Sequence, residues 1–358
     1  MSRITFFTRL CILFSWASLI AAALWMTTIH ISPRSQENTL QVYGWPEMFV
    51  PEVIEKFEKE TGIKVKMHYY TTNEELFVTL KATKGKGYDL IIPSDYAVKM
   101  LIKEDLLQPI DKSMLNFLDH INPVLLNQDY DRENTYAIPY QWEVFGFGID
   151  TDYAEKYSLS PSWKTIFSPE NPNLKIAMVN DPIEAVTFAA YYLFGSPKTL
   201  TSRDTLKVRD LLETQKNWVE AYAGLRADYL LATKNCHIAL CTSSYIFRSS
   251  TQNPHVKFVV PEEGSFMSIE NMCIPKESTK ESQIYELMNF LYKPENLGKD
   301  SSTFFTFPAT VNTRPYLDVP PEYLDFLENS HLYAGKLYFI RYLMSEKETR
   351  KLWVDIKS

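Results

Sequence analysis

Hydrophobic and polar positions near the start of the folded chain repeat with two different periods. Thr39 to Tyr43 reads as a strand, and Ile63, Val65, Met67 and Tyr69 alternate with other residues, the period of a strand with one buried face. Between them Val53, Ile54 and Phe57 share one helical face, with Pro51 at the helix start and Gly62 just past its end. A second helix is predicted over 74–84. The stretch YDLIIPSDY, 88–96, then carries a buried strand, Leu90 to Ile92, straight into Pro93, Ser94, Asp95 and Tyr96. Either a helix begins there or the strand delivers side chains to a ligand. Strand–helix–strand–helix–strand is the signature of a parallel sheet with helices on its faces.

A second unit starts near 146. Phe147–Ile149, Lys175–Val179, His237–Thr242, Val256–Val260 and Met267–Ile274 read as strands. Pro182–Phe194, Ser202–Tyr222 and Glu281–Tyr292 read as helices, and the stretch from Pro320 is helical and aromatic-rich. No repeat, low-complexity tract or long flexible linker intervenes. The second unit is therefore expected to be inserted through short, stiff crossings.

Length supports this division, since 358 residues exceed one ordinary core and about two domains are expected. The N-terminus changes the picture of where the protein works. Arg3 and Arg9 precede an uncharged run from Leu10 to Ile29, about 20 residues and enough to span a bilayer. Basic residues ahead of the run keep the N-terminus inside and send the remainder out. Ala21 and Ala23 offer an A-x-A cleavage site, whereas Leu24, Trp25, Met26 and Ile29 extend the apolar run past it. A signal peptide and an uncleaved anchor both stay open. Without Arg3, Arg9, Arg34 and Glu37, three positive charges and one negative, the formal charge moves from −7 to −9. An acidic surface argues against nucleic acid and suits cations. Only Cys236, Cys241 and Cys273 remain in the exported part, so buried free thiols are expected in preference to a Cys236–Cys241 bridge.

The 22 Tyr, 21 Phe and 7 Trp mean core packing first, but they also suit a binding cleft. Enzyme motifs are mostly missing: there is no G-x-S-x-G, P-loop or G-x-G-x-x-G, and the six histidines are scattered without zinc-ligand spacing. Tyr69–Tyr70 and Tyr191–Tyr192 raise ferric iron as a phenolate ligand, against the ordinary outcome of one ring buried and one exposed. In DPIE, Asp181 and Glu184 stand three apart at a helix start, where both carboxylates can face one way. Aspartate N-cap, proline N1 and glutamate N3 also nearly make a capping box. Glu270 interrupts the apolar strand FMSIENMCIP, sharing a face with Ser268 and Met272. Buried unpaired, it costs several kcal/mol, so it must meet solvent, a partner or a ligand. Trp45 and the pair Ser94 and Tyr96 follow the C-terminal ends of strands, where open parallel sheets bind ligands. Core packing for Trp45 and helix capping for Ser94 are the competing roles.

Taken together, QVYGWPEMFVPEVIEKFEKETGIKVK, YDLIIPSDYAV, YAIPYQW, DPIEAV and the stretch ending IENMCIP form a collinear set. It resembles the periplasmic spermidine/putrescine-binding proteins of ABC transporters, over about residues 39–310. The resemblance implies an α/β fold of two lobes, the type II "Venus flytrap", each lobe a mixed, mainly parallel sheet flanked by helices. It implies lobe 1 at 38–143 with 262–312, and lobe 2 at 144–261 with 313–358. By motif, the aromatic after the first strand is Trp45, P-S-x-Y supplies Ser94 and Tyr96, D-x-x-E supplies Asp181 and Glu184, and the central acid of W-x-D is Glu270. The chain departs from the pattern at Ser268 and Thr242, where tryptophans are expected, and at Phe307, where a tyrosine is expected. Each lost ring removes roughly 0.5–2 kcal/mol of stacking and cation–π attraction. Tyr245 or Phe266 are the rings available to fill in.

The implied function is capture of a polyamine in the interlobe cleft, without cofactor or catalysis, by a monomer. The cargo is then handed to an inner-membrane ABC permease with its ATPase. The protein is placed in the periplasm, with a tether at 10–29 if the run is retained. Rivals are the same fold retuned to a cationic amino compound or ferric iron, a tethered sensor, and an exported hydrolase using Asp181, Glu184 and Glu270, which nothing else catalytic accompanies.

Overall fold

The computed structural model describes residues 16, 18, 38–170, 173–223, 226–333 and 335–358, so the apolar run at 10–29, residues 16 and 18 apart, lies outside the described residues. Among the described residues no helix is long and apolar enough to cross a membrane. The predicted alternation is present as β1 (Thr39–Gly44), α1 (Pro51–Thr61), β2 (Lys64–Tyr69), α2 (Asn73–Thr83), β3 (Leu90–Ile91) and α3 (Asp95–Lys103). β1 pairs in parallel with both β2 and β3. α1 buries Val53, Ile54 and Phe57 and ends on Gly62, whose left-handed φ of 73° turns its N–H back to the Glu58 carbonyl.

The chain then crosses. β4 (Ala137–Asp150) is 14 residues long, far more than the three-residue strand expected at 147–149. It continues through α4 (Thr151–Tyr157), α5 (Trp163–Phe167), β5 (Ile176–Met178), α6 (Pro182–Phe194), α7 (Ser202–Gln215), β6 (Val219–Tyr222), α8 (Ala227–Ala232), β7 (Ile238–Thr242), α9 (Ser243–Ser250) and β8 (Val256–Val259). The helix predicted over 202–222 therefore ends at Gln215. Val219–Tyr222, with a β-branched and an aromatic residue, pairs in parallel with β5 instead. β9 (Ser265–Cys273) returns antiparallel to β4. The chain ends with α10 (Glu281–Leu291), α11 (Pro294–Phe304), β10 (Phe307–Pro308), α12 (Pro321–Asn329), β11 (Leu337–Phe339) and α13 (Glu346–Lys357).

The sheet runs β2-β1-β3-β9-β4-β7-β5-β6, with parallel pairing toward both ends and the antiparallel β9–β4 pair at its centre. Apolar burial follows this division. Leu40, Phe57, Ile92, Tyr140 and Met272 belong to one core, and Phe147, Trp163, Phe188, Phe266 and Trp353 to another. A further cluster around Trp142, Phe247, Phe307 and Tyr323 covers the crossing strands. At about 25 cal/mol per Å² of apolar surface, burial in these clusters stabilises each end of the sheet, and β4 and β9 run between them. Gly146 in β4 belongs to that tight crossing, because a Cβ there would stand 2.6 Å from the Phe258 ring. Cys236, Cys241 and Cys273 are free and buried.

Candidate functional site

The centre of the sheet carries the chemistry. Register puts Glu270 of β9 opposite Gln141 of β4, and Ser268 opposite Glu143. Residues opposite one another share a face, so these four side chains line one side of the crossing strands. Glu270 is partly buried and collects three donors. Trp45 Nε1 donates to Oε2 at 2.7 Å, Ser94 Oγ donates at 2.8 and 3.0 Å, and Ser268 Oγ donates to Oε1 at 3.0 Å. Trp45 and Ser94 arrive from the ends of β1 and β3, as their positions after parallel strands predict.

Ser94 occupies the N-cap position of α3, yet its hydroxyl makes no cap bond and serves Glu270. Asp95, buried, locks the same junction by accepting from the Ile269 N–H at 3.0 Å. Burial pushes Asp95 up to about 8, with the Glu270 charge adding to it. Burial likewise pushes Glu270 up to about 7. Its three donors oppose the rise and Glu143 contributes to it. Glu143 itself lies high for the same first reason, eased by the Ser244 and Thr242 hydroxyls and by Arg248.

A second acidic group approaches from α6. Asp181 caps this helix, accepting from the N–H groups of Ile183 at 2.7 Å and Glu184 at 3.0 Å. Only one oxygen, Oδ1, makes both bonds, which leaves Oδ2 for the cleft. Glu184 gives no reciprocal bond to the cap, so DPIE is half a capping box. Burial first, then Asp181, holds the Glu184 carboxyl well above its usual range. Burial and Glu74 also raise Asp181. Asp181 lines a cavity of about 290 Å³ with Thr72 and Glu74 of the β1 half and Ile183, Tyr342 and Arg350 of the other. Across it Tyr342 donates to Glu74 Oε1 at 2.8 Å, and Tyr96 donates to the same oxygen at 3.4 Å. At the other rim Arg248 pairs with Glu47 at 3.2 Å and lies 4.8 Å from the Tyr245 ring centre.

Most sequence-predicted positions therefore converge. Trp45, Ser94, Ser268 and Glu270 are in direct contact, the Asp181 charge acts on Tyr96, the Thr242 hydroxyl hydrogen-bonds that of Ser244 and holds the Glu143 carboxyl down, and Asp181 adjoins Glu184. Phe307 is the exception. It is wholly buried, its ring 4.6 Å from Trp142 and 5.1 Å from Phe326, and it presents no surface to the cleft. Phe266 is also wholly buried, among Phe188, Tyr191 and Trp163. It cannot replace a missing wall, which leaves Tyr245 beneath Arg248. Sequence reasoning missed Glu143, Glu74 and Tyr342. Glu143 was signalled by an acid inside the apolar run IPYQWEVFGFG, the same anomaly that singled out Glu270. Glu74 and Tyr342 are 268 residues apart and carry no local signal. The tyrosine pairs offer no iron site: Tyr70 donates to the Ile92 carbonyl, Tyr69 is exposed and Tyr191 donates to the Glu263 carbonyl. Among the described residues no group of three or more His, Cys, Asp or Glu is placed to hold a metal ion.

Two substitutions separate capping from charge. Asp181→Ala is expected to cost about 1 kcal/mol in thermal unfolding. Asp181→Asn, an equally good cap, should leave stability within a few tenths of a kcal/mol while removing the charge.

Comparison with known proteins fits this arrangement. The family model described as bacterial extracellular solute-binding protein matches residues 52–315. The chain belongs to that family. Its members are solute-binding proteins, not enzymes. The chain is 30% identical over 294 residues to the spermidine/putrescine-binding periplasmic protein of Salmonella typhimurium, covering 81% of each chain. It is 26% identical to the putrescine-binding periplasmic protein PotF of Escherichia coli, covering 96% of this chain and 98% of that one. The solved spermidine/putrescine ABC transporter substrate-binding protein PotD of Streptococcus pneumoniae superposes with a TM-score of 0.77 at 24% identity, over 89% of this chain and 98% of that one. The fold is thus that of the two-lobed periplasmic binding proteins. Iron-bound HitA of Pseudomonas aeruginosa shares the fold alone, at 14% identity and a TM-score of 0.66 over 89% of this chain and 99% of that one.

Proposed function

We propose that this solute-binding protein captures a polyamine of the putrescine–spermidine class between its lobes and presents it to a membrane permease driven by an ATPase. The observation that carries the reading is Glu270. Its carboxylate is held by donors from the ends of β1 and β3 and from its own strand, and among the described residues no lysine or arginine pairs with it or with Glu143, Asp181 or Glu184. Partly buried acids without counter-ions are costly until a cation arrives. A linear diamine supplies fixed positive ends, so carboxylates on separate elements measure its length. Trp45 and Tyr96 are the rings left to cover its methylenes. The names of the relatives point the same way. The iron alternative is disfavoured, since one phenol of each pair, Tyr70 and Tyr191, is committed to a carbonyl.

Lobe closure follows from contacts made by both lobes to one ligand. Glu47–Arg248 and Glu74–Tyr342 join the halves around the cleft. Tyr342→Phe removes a bond to a charged group worth about 1.5–3 kcal/mol, so affinity should fall by at least several-fold while the fold is kept. Titration calorimetry is the check. We also place the protein outside the cytoplasmic membrane as a monomer, with residues 10–29 as its leader or tether. Calorimetry with putrescine, spermidine, spermine and the uncharged 1,4-butanediol tests the central reading. Heats with the amines and none with the diol are expected, and silence from every amine would sink it.

A further inference from the structure

Small hydroxyl residues, Ser268 opposite Glu143 and Thr242 at the end of β7, flank the central acids of the sheet. We infer that Glu143, Glu270 and Gln141 form a subsite for a terminal ammonium group, at which an α,ω-diamine ends instead of threading through. The inference deepens the polyamine reading and rests on it.

Three observations carry it. First, Glu143 and Glu270 lie on adjacent antiparallel strands and share a face, one register step apart. Each is partly buried, and the Glu143 charge raises the proton affinity of Glu270. Arg248 is the cation nearest in influence to Glu143, but its guanidinium pairs with Glu47 at 3.2 Å. Second, Gln141 stands opposite Glu270 with only 1% of its surface exposed, and neither its Oε1 nor its Nε2 has a partner. An orphaned buried amide is rare, and its oxygen can accept from an ammonium. Third, the hydroxyl and indole donors around Glu270 are already engaged. Trp45, Ser94 and Ser268 donate to Glu270, while the Ser244 and Thr242 hydroxyls, 3.2 Å from each other, hold the proton affinity of Glu143 down.

Apart from the Gln141 NH₂, what remains beside Glu270 and Glu143 is acceptor capacity, from two carboxylates and one amide oxygen. A primary ammonium brings three N–H donors and matches that surplus. An interior secondary ammonium brings two, and its flanking methylenes need apolar walls on both sides. Hydroxyls occupy those places here, at Thr242 and Ser268. The chemistry therefore favours a short diamine terminus over the middle of a longer polyamine.

The test uses the intact protein in calorimetric titrations. Wild type is expected to bind putrescine. It should bind the bis-quaternary N,N,N,N′,N′,N′-hexamethyl derivative, which keeps both charges but has no N–H donor at either end, at least a hundredfold more weakly. Glu143→Gln should weaken putrescine at least tenfold, with its thermal unfolding recorded to show that it is folded. Full retention of the hexamethylated ligand, or putrescine affinity unchanged in Glu143→Gln, would overturn the subsite while leaving polyamine binding intact. Absence of any amine binding to wild type would overturn both readings.

Discussion

Replacing Glu270 by glutamine should nearly abolish polyamine binding while leaving the folded protein intact. The carboxylate sits where three donors converge, and no protein cation pairs with it among the described residues. Removing one partner of a buried, hydrogen-bonded charge pair costs about 2–5 kcal/mol, so the dissociation constant should rise from about 30-fold to several thousand-fold. Most of that loss is the ammonium left facing a neutral amide. The ligand-free protein should not suffer in parallel. Glutamine Oε1 can still accept from Trp45 Nε1, and its NH₂ can donate to Ser94 and Ser268, whose hydroxyls rotate to accept. Desolvating an amide is also cheaper than desolvating a carboxylate. Thermal unfolding with and without putrescine separates the two effects. The unliganded midpoint should hold or rise, and the ligand-induced gain should vanish. Wild-type affinity in this variant would move the cation site away from β9.

How much of this was legible before the structure depends on the range of each interaction. The alternation of β1, α1, β2 and α2 is written locally, in the spacing of Val53, Ile54 and Phe57 and of Val65 and Met67. Glu270 was legible because an acid in an apolar strand violates a local rule, and the same rule applied to Glu143 would have exposed it. Ser94 was ambiguous because capping and ligand contact demand the same residue at the same place. Only the position of Glu270, 176 residues away, decides that its hydroxyl points across the sheet. Val219–Tyr222 was misread because a short strand at the end of an amphipathic helix differs from it only by its neighbour, β5. Phe307 was misplaced because matching a motif gives a position in the chain, not the depth of a ring. Here Trp142, Tyr323 and Phe326 enclose it.

Acid should loosen the complex and tighten the empty protein. Burial holds Glu270 up to about 7, and Glu184 and Glu143 also titrate above the ordinary carboxylate range. An ammonium ligand needs these groups ionised, so its binding expels their protons. With a free-state value of about 7, only about 3% of Glu270 is ionised at pH 5.5, which alone weakens binding roughly thirtyfold relative to pH 8. For the unliganded protein the sign is opposite. A carboxyl whose folded pKa lies above its unfolded value stabilises the fold fully below the unfolded value, near 4.5, and loses that contribution as pH rises through about 7. Acidification from pH 8 to 6 therefore favours the empty fold through this group and disfavours the loaded one. Two measurements read the linkage. Calorimetry at pH 7 in phosphate and in Tris should give putrescine heats that differ in proportion to the protons released. Unfolding midpoints with and without ligand should converge as the pH falls. Identical heats in both buffers would mean that Glu270 is already ionised in the empty cleft, and that the three donors around it outweigh its burial.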